Sequence, residues 1–78
     1  MPKLPRMSGR EFIKILSLFG FVFSRQKGSH MILKRKIEGG EIGCVVPDHK
    51  ELSEGTERSV LKQCNISPEE FLTKYSEK

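Results

Sequence analysis

An α+β sandwich, with its elements in the order α-β-β-β-α and a short helix appended, is the fold class this sequence predicts. Three observations lead there. Apolar residues recur at helical spacing near both ends of the chain and alternate with period two between them. Short glycine-containing breaks divide the alternating part into three runs, as sequential antiparallel strands require. A chain of 78 residues has room for one core, since at this length only roughly 60–65% of the unfolded surface is buried. The expectation is a single domain over residues 1–78 in which helices cover one face of a three-stranded antiparallel sheet.

The first helix is announced by Ser8-Gly9-Arg10-Glu11, a capping box in which serine and glutamate satisfy free backbone N–H groups. Phe12, Ile13, Leu16 and Phe19 follow as a helical stripe, and Gly20 suits a left-handed stop, so the helix is placed at 9–19. Pro2 and Pro5 make residues 1–7 an extended basic arm. The period changes to two from Phe21 to Gln26. Lys27-Gly28-Ser29 then forms a turn, and a second strand runs from His30 to Lys36. Glu38-Gly39-Gly40-Glu41 makes the next turn, and Ile42 to Val46 a third strand ended by Pro47. Parity groups Phe21, Phe23, Met31, Leu33, Ile42, Cys44 and Val46 on the face the helices cover, and puts Ser24, Gln26, His30, Ile32 and Lys34 on the open face. A second helix is expected at 56–64 with the stripe Val60, Leu61 and Cys64 and a stop at Asn65. Ser67-Pro68-Glu69-Glu70 starts a terminal helix that carries Phe71, Leu72 and Tyr75.

Charge is divided unevenly along this framework. Residues 1–36 hold nine basic side chains and one acid, a local charge of +8, whereas residues 37–78 hold five basic side chains and nine acids, a local charge of −4. A polyanion surface built from the first half is one reading, and two solvated faces of opposite sign is the other. No apolar run approaches the roughly 20 residues of a membrane span, and the N-terminus lacks a secretory apolar segment, so a cytoplasmic protein without membrane contact is expected. Cys44 and Cys64 lie far apart, within apolar patterns and without metal-ligand spacing, and are expected as buried free thiols with no metal site and no small-molecule cofactor.

Chemistry concentrates in Arg25-Gln26-Lys27-Gly28-Ser29-His30. An imidazole can give or take a proton near neutral pH, and Arg25, Lys27 and Lys34 could hold a phosphate beside it. Those groups suffice for RNA cleavage, in which a base activates the ribose 2′-OH, an acid protonates the leaving oxygen, and cations stabilise the phosphoryl oxygens. Ser29 could orient the imidazole or contact phosphate, and Gly28 would let backbone approach the RNA closely. The same histidine equally fits a solvated residue at a strand start, with the basic groups serving a non-catalytic RNA-binding module. His49, the other histidine, reads as a loop residue or as a supplementary acid or phosphate contact.

The ordered set of motifs resembles the HicA toxin family of bacterial and archaeal toxin–antitoxin systems. The likeness runs through the opening MPKLPRMSGRE, Gly20-Phe21-Val22, the Arg25 to His30 segment, Val46-Pro47 with His49 nearby, Glu51-Leu52, Gly55-Thr56, Arg58-Ser59, Leu61-Lys62-Gln63 and Ile66 to Phe71. It implies a fold like that of a double-stranded-RNA-binding domain and metal-independent endoribonuclease activity on mRNA. It further implies His30 as the catalytic residue and a HicB-type antitoxin as partner. Two departures stand out. Many relatives carry a second histidine directly after the catalytic one, where this chain has Met31, and the start of the second helix, Glu54-Gly55-Thr56-Glu57-Arg58, lacks the lysine cluster with which ordinary double-stranded-RNA-binding domains grip phosphates. The sheet face and the Lys27 turn are therefore the expected RNA contact.

Overall fold

The computed structural model describes residues 3–77; the predicted arm's Met1 and Pro2 lie outside the described residues. The observed order is α1 (Gly9–Ser17), β1 (Val22–Lys27), β2 (His30–Ile37), β3 (Gly40–Pro47), α2 (Glu54–Cys64) and α3 (Pro68–Glu77). This is the α+β layout the periodicities predict, with an antiparallel sheet in the order β1-β2-β3.

Each helix starts where its cap chemistry dictates. Ser8 and Glu11 exchange backbone and side-chain bonds, both at 3.1 Å, at the start of α1. Ser67 and Glu70 repeat the arrangement before α3, at 2.9 and 3.1 Å. The second helix begins at Glu54 rather than Thr56 because Ser53 caps it, accepting from the Thr56 N–H at 3.2 Å. Asn65 ends it in the left-handed conformation, with φ 60°. The first helix stops at Ser17, two residues short of the expected end. Leu18, Phe19 and Gly20 instead donate to carbonyls three residues back, and Gly20 takes φ 93° to turn the chain into β1.

The core lies between the helices and one sheet face. Phe12, Ile15 and Leu16 of α1, Leu33 of β2, Val46 of β3 and Leu61 of α2 are all buried. Phe71 closes it by stacking on Phe12, ring centroids 4.7 Å apart, which makes α3 part of the packed layer. The described segment before α1 is neither helix nor strand, and its apolar residues enter the core: Leu4 is 2% exposed and Met7 6%. The Met7 carbonyl accepts from the Leu52 N–H at 2.8 Å, and Arg6 pairs with Glu51 at 3.0 Å. Cys44 and Cys64 are free and buried where β3 meets α2, and the neighbouring Cys44 thiol together with burial pushes the Cys64 thiol up. Glu57 of α2 is also fully buried. Neither of its carboxylate oxygens has a partner among the described residues, and burial pushes its pKa up to about 7.

One irregularity decides what faces where. Phe23 pairs with Leu33, but the next pair is Arg25 with Ile32, so Ser24 is an extra residue in a β-bulge. Beyond the bulge the parity of β1 inverts. Gln26, expected on the open face, pairs with buried Met31 and lines a depression of about 430 Å³ on the helix side with Arg10, Ile13 and Lys14. Phe23 keeps its expected parity but remains 49% exposed on the edge strand, so it is not a core residue.

Candidate functional site

Cross-strand pairs share a face of the sheet, so the register composes the surface opposite the helices. At one end lies the row Lys27, His30 and Pro47, and next to it the row Arg25, Ile32 and Val45. Val22, Lys34 and Gly43 form the third row, and Lys36 with Glu41 the fourth. His30, Lys27, Arg25 and Lys34 are all exposed, while Met31 and Leu33 between them point into the core. Position 31 therefore points away from His30's face in this chain.

Uninterrupted alternation from Phe21 would have turned residues 25 and 27 toward the helices. The bulge at Ser24 brings Arg25 and Lys27 to the imidazole's side. Cross-strand neighbours sit roughly 4.5–5.5 Å apart at their Cβ atoms, so the Lys27 ammonium and the His30 ring can reach one phosphodiester group. Arg25 stands one row along. Lys34, two rows from His30, pairs with Glu41 at 3.4 Å in an exposed contact, which water screens and an incoming phosphate could replace. Beside it, Val22, Ser24, Lys34, Lys36 and Glu41 border a depression of about 500 Å³ on the same face.

The turn before His30 consists of Gly28 and Ser29, with Lys27 paired to His30 across it. Gly28 has φ 59°, and a Cβ there would meet no atom within 4 Å, so backbone conformation rather than crowding calls for glycine. Ser29 contributes its backbone: its carbonyl accepts from the Asp48 N–H at 2.7 Å. The Asp48 carboxylate accepts from Arg10 Nε and a second Arg10 nitrogen, each at 3.1 Å, and from Gln26 Nε2 at 3.1 Å. Arg10 first, then Gln26, hold the Asp48 carboxyl below the usual carboxylate range. His49 is exposed, and its carbonyl accepts from the Gly9 N–H at 2.9 Å and so ties the loop to the start of α1.

The structure thus gathers Arg25, Lys27, Gly28, Ser29 and His30 at one end of the open face and sets Lys34 farther along it. Sequence reasoning missed Asp48 and Arg10. They are 38 residues apart, and no periodicity or local motif links them. Among the described residues no three His, Cys, Asp or Glu side chains converge as metal ligands would, and no helix is long and apolar enough to cross a membrane.

Comparison with protein families gives a match to the HicA toxin of bacterial toxin–antitoxin over residues 9–66. That span runs from the first residue of α1 to just beyond α2 and includes the whole sheet. No curated protein and no solved structure matches the chain.

Proposed function

The chain belongs to the HicA toxin family, and from that premise we propose that it is an endoribonuclease that cleaves mRNA with His30 as its proton-transfer group. A toxin of a toxin–antitoxin system has an antitoxin partner, and we take that partner to be of the HicB type, acting in the cytoplasm where mRNA is translated. The whole chain, 1–78, works as one domain in this reading.

The observation that carries the proposal is the bulge at Ser24, which sets Arg25 and Lys27 on the uncovered face beside an exposed imidazole. RNA supplies its own nucleophile. Removal of the 2′-OH proton lets that oxygen attack the adjacent phosphorus, the bond to the 5′ oxygen breaks, and the leaving oxygen takes a proton. The products are a 2′,3′-cyclic phosphate end and a 5′-hydroxyl end. His30 acts as base or acid in this exchange, and Lys27 and Arg25 stabilise the charge on the phosphoryl oxygens. Lys34 holds a flanking phosphate, and Gly28 and Ser29 let backbone approach the RNA. Chemistry of this kind needs no metal ion, because the base, the acid and the cations can all be side chains or water. His49 is the supplementary candidate for the second proton.

The second reading is a non-catalytic RNA-binding module, which the same row of cations favours. Both are tested by expressing the protein and its His30→Ala variant, following growth and RNA integrity, and assaying the purified proteins on RNA. The expected loss of cleavage is about 10²-fold or more, with the growth defect abolished. A folded His30→Ala protein that cuts at the parental rate defeats the assignment. Salt-sensitive RNA binding without cleavage by either protein identifies the binding module instead.

A further inference from the structure

His30 follows a two-residue turn, and that turn is braced from the far side of the sheet. Asp48 comes directly after Pro47, the cross-strand partner of His30. Its N–H holds the Ser29 carbonyl at 2.7 Å. Its carboxylate holds Gln26 Nε2 at 3.1 Å, and the same nitrogen donates to the Gly28 carbonyl at 3.0 Å. Both carbonyls of the turn are therefore occupied, one by Asp48 and one by the amide that Asp48 orients. The anchor is Arg10, whose two bonds to the carboxylate fix it to the first turn of α1. The Asp48 side chain is 21% exposed and that of Arg10 73%, so the carboxylate is half-buried while its anchor stays in water. Gln26 lies on the helix side and His30 on the open side, which places the carboxylate behind the imidazole rather than against the substrate.

We propose that Asp48 is a positioning residue: through Ser29 and Gln26 it fixes the turn that aims His30 and Lys27 at one phosphate. This rests on the reading of His30 as catalytic, but its structural half does not. A displacement of about 1 Å from the productive geometry can cost about a hundredfold in rate, so a brace on the two residues before the catalytic group acts on kcat. Arg25 and Lys34, the cations of the open face that lie away from the turn, keep their places, so substrate binding changes little.

The experiment compares the parent with Asp48→Asn, Asp48→Ala and Gln26→Met, using a short single-stranded RNA oligonucleotide and the NMR signal of the His30 ring. The expected result is a fall in kcat of about tenfold or more with KM within about twofold, together with a displaced or broadened His30 ring signal. Asp48→Asn keeps an acceptor for Gln26 but loses the charge that binds Arg10, and should fall between the parent and Asp48→Ala. A folded Asp48→Ala or Gln26→Met protein with parental kcat and an unmoved His30 signal overturns the proposal. So does a loss of activity that only tracks a loss of folded protein. Should Asp48→Ala fail to fold, Asp48→Asn and Gln26→Met decide. If the parent does not cut RNA, the catalytic reading falls, and the ring signal still decides whether Asp48 positions His30.

Discussion

Strand β2 begins and ends in two-residue turns, with glycine first in one and second in the other. Gly28-Ser29 leads into it and Glu38-Gly39 leads out, each two residues long and each with a glycine at positive φ, 59° and 84°. Their surroundings differ. The first has both carbonyls bound by a network that reaches through Gln26, Asp48 and Arg10 to α1, whereas the second has no such brace among the described residues and is closed by its strand ladder alone. A two-residue hairpin with a well-placed glycine needs no outside support to close. The second turn demonstrates this within the same strand. On the proposal above, the three polar side chains around the first turn serve the residue that follows it, His30, rather than closure of the hairpin.

The largest way to break this contrast is Gly9→Ala. Gly9 starts α1 against the loop after β3, its N–H bound to the His49 carbonyl at 2.9 Å, and an added Cβ would collide with the Pro47 backbone oxygen. Backbone cannot step aside as a side chain can. The helix must lift off the loop, and Arg10 leaves with it. We expect a loss of about 3 kcal/mol or more, seen as a drop in Tm of roughly 15 °C, with cleavage impaired in whatever remains folded. Gly40→Ala, beside the second turn and with nothing within 4 Å of its Cβ, should move Tm by only a few degrees. Equal losses from the two would show that the first turn is no more tightly built in than the second.

Next in size is a change outside both turns. Glu57 sits buried and without a hydrogen-bond partner among the described residues, with Arg6, Glu54 and Arg58 as the charges that influence it. Its folded pKa of about 7 exceeds the ordinary 4.5. Between those values the unfolded carboxyl gives up its proton while the folded one keeps it, so stability falls as pH rises from about 4.5 to about 7 and stays reduced above. Glu57→Met removes the penalty and should stabilise by about 2 kcal/mol at pH 8, with a smaller gain at pH 5, measured by denaturant unfolding. Asp48 behaves oppositely: its lowered pKa supplies stability above the ordinary carboxylate range that is lost as pH falls through the folded value. Cleavage per folded molecule should be unchanged in Glu57→Met. An altered rate would mean that global stability, rather than the brace, governs the site.

How legible these features were follows from the range of the interactions behind them. Capping boxes at Ser8 and Ser67, the left-handed stop at Asn65 and the two glycine turns are local grammar, and the fold class with most element bounds followed from them. The bulge was not legible, because Ser24 carries no glycine or proline signal and a single inserted residue leaves the apolar count unchanged. Its effect was large: Gln26 exchanged faces, while Arg25 and Lys27 came to the side of His30. Burial of Leu4 and Met7 went unread since Pro2 and Pro5 point to an extended segment, and extension says nothing about what covers it. Asp48 was passed over for its neighbour His49 because its partners, Arg10 and Gln26, lie 38 and 22 residues away.

The smallest effect gives the sharpest version of the contrast. Gly28→Ala and Gly39→Ala each force a Cβ onto a backbone at positive φ with open space around it, so each should cost about 1–2 kcal/mol of strain and no more. At Gly39 the turn can relax, since only its ladder resists and His30 lies at the other end of β2; cleavage should match the parent. At Gly28 relaxation must either pull the carbonyl from Gln26 or keep it and hold the strained φ. Either way the turn that precedes His30 is no longer the one Asp48 fixes. Matched losses of stability with unmatched kcat would separate the cost of a hairpin from the function of its brace. Equal kcat in the two variants would leave the Asp48 network as a structural contact that the site does not use.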